Sequence, residues 1–243
     1  MIDLRGQPAV VTGAAQGLGY AISAAYAREG MRVAMIDVQA ARLNVAADAL
    51  TREGGDVTAI TADLSDADAT QHAIQTALDR YGTPRVLVHN AAILRPKPFA
   101  ELTLDDWNLH VNVGIQAAFL LVRAVWNRMA RAGGGSIVLV SSRSGIEGFV
   151  DETHYCTAKH GLEGLMKCLA MEGAPLNIAV NTITPGMPMH TPMSEQNYTD
   201  DLKQRWIDPI HLAPAFVFLA RQDASGVTGQ RTNAWELSQG SKK

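Results

Sequence analysis

The stretch Pro8-Ala9-Val10-Val11-Thr12-Gly13-Ala14-Ala15-Gln16-Gly17-Leu18-Gly19 decides how the rest of the chain is read. Its first five residues are a short apolar run of the kind a buried strand has. Glycines at 13, 17 and 19 follow, and helical patterning then covers 21–29 and stops at Gly30. Strand, glycine turn and helix in that order make an anion cradle. Glycine lets the backbone bend sharply and come close to a phosphate. The helix start adds unpaired N–H groups and the positive end of its dipole. A plain strand-to-helix turn needs only one or two glycines, so three in this setting favour the cradle.

The same order repeats outward to the end of the chain. Strands are predicted at Arg32–Asp37, 57–61, Val86–His89, 137–140 and 178–183, with a last one at 230–237. Helices are predicted at 42–52, 66–81, 103–131 and from Tyr155 to the stop at Gly173 and Pro175, with a short one at 214–220. Thr103-Leu104-Asp105-Asp106 has the pattern of a capping box. The strands are apolar without a two-residue period, as in a sheet covered by helices on both faces. The pattern predicts an α/β fold, one doubly wound parallel sheet forming a single domain over 1–243, with no second domain. Ligands of such a sheet sit beyond the carboxyl ends of its strands.

Asp37 stands at one such end, eighteen residues after Gly19. A carboxylate there accepts hydrogen bonds from the ribose diol of NAD and repels the 2′-phosphate of NADP. Gln16 and Val38 supply no cation for that phosphate, and Arg42 is expected to face solvent. Tyr155 and Lys159 are i and i+4 on a predicted helix, one above the other. The ammonium is expected to lower the phenol pKa and fit it to exchange a proton with an alcohol or carbonyl oxygen.

With 243 residues, 47% hydrophobic, a formal charge of −3 and a pI near 6.1, the chain can bury a substantial core. No basic stripe points to nucleic acid, and no unbroken apolar run approaches the ~18 residues of a membrane helix. The first residues lack the apolar core of a secretory signal. Cys156 and Cys168 share one predicted helix, too far apart to bond. Free thiols and no export signal predict a cytoplasmic protein. No His/Cys/Asp/Glu cluster has ligand spacing, so no metal is expected.

The chain resembles the classical short-chain dehydrogenases/reductases over essentially its whole length, with the Rossmann fold they share. The resemblance rests on the Gly13, Gly17, Gly19 turn, on Tyr155-x-x-x-Lys159, and on motifs between them. Asp63-Leu64 looks like the family's adenine-contacting pair, His89-Asn90-Ala91-Ala92 like its Asn-Asn-Ala-Gly motif, and Asn112 like its helix asparagine. Ser142 lies where the family's active serine does, and Pro185-Gly186 follows the sixth strand. The resemblance implies catalytic roles for Asn112, Ser142, Tyr155 and Lys159. Tyr155 is then the general acid/base, Lys159 holds the nicotinamide ribose, Ser142 fixes the substrate oxygen, and Asn112 supports a proton-relaying water. It implies cofactor contacts from Gly13, Gln16, Gly17, Leu18, Gly19, Asp37, Asp63, Leu64, Asn90, Ala91, Tyr155, Lys159, Pro185 and Gly186.

The sequence departs from the family at four places. His89 and Ala92 replace an Asn and a Gly, Thr191 falls one position late after Pro185, and 229–235 lacks the usual Asp-Gly-Gly. The substrate lid, about 187–209, is short. Loops around Leu94-Arg95, 143–151, His154 and 187–206 are expected to meet the substrate. Arg95 and Arg143 read as surface cations before carboxylate clamps, and His154 as a solvated residue at a helix start. The reading is an NAD-dependent enzyme interconverting a small-molecule secondary alcohol and a ketone. Its rivals are an NADPH-dependent 3-oxoacyl thioester reductase and a non-catalytic NAD-binding regulator. A homotetramer or homodimer through 105–131 and 153–171 is what the resemblance implies.

Overall fold

Each predicted strand up to the sixth becomes a strand of one parallel sheet. The structure, a computed structural model, describes residues 2–240; the first residue and last three of the expected 1–243 domain lie outside them. The strands are β1 Pro8–Thr12, β2 Arg32–Asp37, β3 Asp56–Thr61, β4 Val86–His89, β5 Gly135–Val140, β6 Ile178–Thr184 and β7 Arg231–Asn233. Their order is β3-β2-β1-β4-β5-β6-β7, and every pairing is parallel. In β1, Ala9 and Val11 join the core on one face and Val10 the core on the other; β2, β4 and β5 divide in the same way. Two buried faces explain why the sequence shows apolar runs without polar alternation.

The helices are α1 Gly17–Arg28, α2 Ala40–Arg52, α3 Ala67–Tyr81, α4 Leu104–Val111, α5 Ala117–Arg131, α6 Thr153–Gly173, α7 Pro192–Asn197, α8 Asp200–Lys203, α9 Ala213–Ala220 and α10 Ala234–Gly240. One core contains Leu18 and Tyr26 of α1, Leu43 and Leu50 of α2 and Phe216 of α9; the other contains Ile74 of α3, Leu121 of α5 and Leu162 of α6. Tyr26 ties α1 to α9 by donating to the Phe216 carbonyl at 3.1 Å. The span Leu104–Arg131 is long and apolar enough by composition to cross a membrane, although it holds no unbroken apolar run. Its Leu121, Val125 and Met129 are buried against the sheet.

Three expectations need correction. The first helix starts at Gly17, not at 21, because the last two cradle glycines lie within its first turn. The last strand is only Arg231–Asn233, and the chain then turns into α10, where 230–237 was expected to stay extended. There Ser238 Oγ accepts from Ala215 N–H and donates to the Leu212 carbonyl, both at 3.2 Å, which holds α10 against the α9 region. The 187–209 stretch, without clear pattern in the sequence, carries α7 and α8. At Thr103 the capping box forms as predicted.

Candidate functional site

The carboxyl ends of β1, β2, β4, β5 and β6 bring the predicted site residues to one edge of the sheet. Gly13 leaves β1 with φ +64°, a left-handed conformation that favours glycine. At Gly19 any side chain is excluded, since its Cβ would stand 2.0 Å from the Gly13 carbonyl oxygen. Gln16 gives α1 no side-chain cap bond, which leaves first-turn N–H groups to meet an anion. Glycine cradle and open helix start thus fit the diphosphate of a dinucleotide. Asn90 braces the turn, donating from Nδ2 to the Thr12 and Gly13 carbonyls at 3.0 and 3.2 Å. Ala91 N–H donates to Thr12 Oγ1 at 3.1 Å.

Asp37 is buried at the end of β2. Its carboxylate accepts from Ala15 N–H at 3.0 Å and from Gln39 N–H at 2.9 Å, one bond to each oxygen. Each oxygen keeps a lone pair for a ribose hydroxyl. Arg42 is exposed, as expected, yet its guanidinium reaches back to Gln16 in the cradle and to Gln39. Asp63 closes a turn by accepting from Ser65 N–H and Oγ at 2.9 and 2.7 Å, and Leu64 is packed into the core. At the end of β6, Pro185 accepts from Trp235 N–H at 3.2 Å, and Gly186 has φ +77°. Thr191 caps α7, and its Cγ2 lies 3.1 Å from where a Cβ on Gly17 would stand.

Tyr155 and Lys159 share one face of α6, with Nζ 5.5 Å from the phenol ring centroid. Nζ donates to the Val140 carbonyl at 2.7 Å. The expected lowering of the phenol pKa is not what the surroundings give. Burial pushes Tyr155 well above its usual value, and the Ser142 hydroxyl beside it only partly offsets this. Burial also brings Lys159 down to about 8, against the pull of Glu163. Ser142 caps the short turn Arg143–Gly145, where its Oγ accepts from Ser144 N–H at 3.1 Å. Ser144 Oγ donates to Glu152 at 3.0 Å, and Glu152 is raised by burial.

Asn112 begins a π turn, Asn112–Gln116, between α4 and α5, and donates to the Ser65 carbonyl at 3.1 Å. Such turns release carbonyls from the helical ladder. His89 takes two of them, with Nε2 3.1 Å from the Val113 oxygen and 3.0 Å from that of Gly114. Both are acceptors, so Nε2 carries the proton and Nδ1 accepts from Thr12 Oγ1 at 3.1 Å. Burial, with the charge of Lys159, lowers His89 to about 4 and keeps it neutral. His89, which departs from the family's Asn, therefore braces the π turn against β1.

His154 is also corrected. It is wholly buried, not solvated, because the 94–95 loop covers it and Nε2 donates to the Arg95 carbonyl at 3.0 Å. Its ring centroid is 3.8 Å from that of His110. Arg95 is exposed, and exposed Arg143 pairs with Glu147 at 3.2 Å and lies over Phe149, as surface cations do. Sequence reading missed Glu163 and Arg231. Glu163 Oε1 accepts from Ser141 Oγ at 2.5 Å and Oε2 from Thr182 Oγ1 at 2.8 Å; Arg231 Nε is 3.3 Å from Oε1. The one signal for Glu163 was its place four residues after Lys159.

The edge thus combines a glycine turn at a helix start, a carboxylate at the second strand, and a phenol, a hydroxyl and an ammonium side by side. Comparison with known proteins agrees. The family model described as short chain dehydrogenase matches residues 7–202. The chain is 34% identical over 235 residues to D-threitol dehydrogenase of Mycolicibacterium smegmatis, covering 93% of this chain and 90% of that one. It is 33% identical over 243 residues to a 3-oxoacyl-[acyl-carrier-protein] reductase of Synechocystis, covering 96% and 97%. A solved structure of a putative NAD(P) dependent gluconate 5-dehydrogenase from Beutenbergia cavernae, with bound NADP, superposes with a TM-score of 0.88 at 32% identity, covering 96% and 98%. The chain belongs to the short-chain dehydrogenase family, as an oxidoreductase that works with a nicotinamide dinucleotide on alcohol- or ketone-type substrates.

Proposed function

We propose that this chain is an NAD-dependent enzyme that interconverts the secondary alcohol and the ketone of a polyhydroxylated small molecule. The observation that carries the reading is the grouping of Tyr155, Ser142 and Lys159 beside a cradle suited to a diphosphate. The bound nicotinamide supplies the hydride chemistry. Tyr155 exchanges the proton on the substrate oxygen: it gives one to the forming alkoxide in reduction and takes one from the alcohol in oxidation. Ser142 hydrogen-bonds the same oxygen and orients it. Lys159 holds the nicotinamide ribose and places positive charge beside the phenol, and Asn112 supports the water that relays protons to it. Gly13, Gln16, Gly17, Leu18 and Gly19 hold the diphosphate; Asp63, Leu64, Asn90 and Ala91 hold the adenosine; Pro185 and Gly186 border the nicotinamide.

Asp37 supports NAD, because a 2′-phosphate would be set against its carboxylate. The position of Arg42 favours a second reading, NADP, since an exposed guanidinium beside Gln16 and Gln39 can turn to a phosphate there. The gluconate 5-dehydrogenase relative, with NADP bound, supports that alternative. The polyol class follows the threitol and gluconate relatives. The segment 187–209 is the substrate lid of a single domain. The outer faces of α5 and α6, where Phe119 and Met171 are exposed, are the surfaces for a homodimer or homotetramer. Absorbance at the reduced-nicotinamide band, followed across polyols, sugar acids and 3-oxoacyl thioesters with NAD and NADP in parallel, tests this. Turnover of a polyol with NAD is expected. Turnover confined to thioesters with NADPH overturns it.

A further inference from the structure

An ion pair lies behind Tyr155 and Lys159 that the proposed chemistry does not use. Glu163 follows Lys159 by one turn of α6 and is 6% exposed. A carboxylate so deep is costly unless it is paired and hydrogen-bonded. Here Ser141, Thr182 and Arg231 all converge on it, so the ends of β5, β6 and β7 are tied to the helix that carries Tyr155. Arg231 also donates from Nη2 to the Ser142 carbonyl at 3.1 Å. Gly145 leaves room for the cluster: a Cβ there would meet Ser141 Oγ at 2.5 Å and Glu163 Oε1 at 3.3 Å. Arg231 keeps 28% of its side chain exposed, so Glu163 is the buried member of the pair; for packing alone, apolar side chains serve as well as a buried charge or better. Both partners of this pair instead reach groups beside the reacting atoms.

We infer that Glu163 and Arg231 are positioning residues: Arg231 fixes the backbone of Ser142, and Glu163, tied to Ser141, Thr182 and Arg231, holds a carboxylate one helical turn from the Lys159 ammonium. The inference rests on the roles proposed above for Ser142, Tyr155 and Lys159. The groups facing Lys159 are Tyr155 and Glu163 on its own helix, His89 from β4, and the Val140 carbonyl from β5. The π turn brings Gly114 against Ala158, with no charge. Arg231 of β7 acts through Glu163. His89 is neutral, so Glu163 is the anion in this set. It opposes the burial that lowers Lys159.

The test is an NMR titration of carbon-13-labelled lysine ε-carbons in the cofactor-free protein, with the Lys159 signal assigned by Lys159→Arg. Glu163→Gln is expected to move the Lys159 titration down by about one to two pH units, the size of a charge lost one helical turn away. Arg231→Gln is expected to move it up, because Glu163 then acts unopposed. Arg231→Lys is expected to stay near the parent. In turnover, the alkaline limb of kcat shifts in the same directions. Arg231→Gln also loses about ten-fold in kcat with little change in the dinucleotide KM, since Ser142 is no longer held in place, and Arg231→Lys recovers part of that loss. An unchanged Lys159 titration in folded Glu163→Gln overturns the inference. Should that variant not fold, no upward shift in Arg231→Gln overturns it equally. The titration needs no substrate, so a parent without turnover overturns the functional reading while the pairing is still decided.

Discussion

The glycine cradle and the 187–209 segment meet where Thr191 Cγ2 approaches Gly17, and they are built in opposite ways. Sterics and a dense set of bonds hold the cradle. Gly19 admits no side chain, Asn90 grips two carbonyls, and Thr12 Oγ1 bonds Asn90 N–H, Ala91 N–H and His89. The 187–209 segment is held mainly by bonds within itself, with Met189 and Ile207 packed against the core. It has helices of six and four residues, one bridge between Met189 and Ile207, and His190 stacked on Trp206 at 4.2 Å. A bond from Asn197 Nδ2 to the Leu94 carbonyl, 3.2 Å, joins it to the opposite loop. A dinucleotide is the same molecule in every turnover, so a fixed cradle suits it. Loops joined to their scaffold by few bonds open locally at low cost and tolerate change, which suits the lid role proposed for this segment.

The largest expected effect divides the two regions by touching neither. Tyr155→Phe should lower kcat by about 10²–10⁴-fold while dinucleotide affinity, read by fluorescence titration, stays at the parental value. Parental turnover in that variant removes Tyr155 from the chemistry. Gly19→Ala should break the cradle itself. Its Cβ falls on the Gly13 oxygen, so dinucleotide affinity should drop by about 10²-fold or more, with a stability loss of roughly 1–3 kcal/mol in urea melts. Retained affinity would mean that the dinucleotide binds elsewhere.

His89 sharpens the contrast through pH. The folded protein holds it near 4, against 6.5 for the free side chain. The unfolded chain binds the additional proton between those values, so stability rises with pH across that window and is lost as the pH falls through it. The loss amounts to about 3 kcal/mol. Urea midpoints measured from pH 7 to 4 should fall less steeply in His89→Asn than in the parent. The smallest effect belongs to the 187–209 side: Asn197→Ala loses the Nδ2 bonds to the Leu94 and Met193 carbonyls. It should raise the alcohol KM by roughly three- to ten-fold, the cost of the lost link to the opposite loop, and leave the melting temperature unchanged.

The sheet was legible because β1, β2, β4 and β5 are buried on both faces and read as apolar runs. The cradle was legible because its geometry demands glycine. The last strand was not, since of the two positions α10 buries, Ala234 and Ser238, the second is polar and gives no apolar signal. His154 was misjudged because the Arg95 loop and His110 of α4, both far earlier in the chain, pack over it, and not its own helix. Glu163 had a visible spacing from Lys159, but its partners Ser141, Thr182 and Arg231 come from three strands that only the folded sheet brings together. The phenol was misjudged in charge balance: spacing shows that an ammonium is near but not how much water is excluded.

The π turn at Asn112–Gln116 constrains how this gene can vary. A helix advances about 100° per residue, and the wide turn sets the phase between the segment that bears Asn112 and the one that packs on the sheet. Deleting any single residue between 112 and 116 would rotate one segment against the other. Either Leu121, Val125 and Met129 would swing off the sheet, or Asn112 would leave Ser65. Alignments with homologues should therefore show this stretch free of gaps, even where the side chains within it differ.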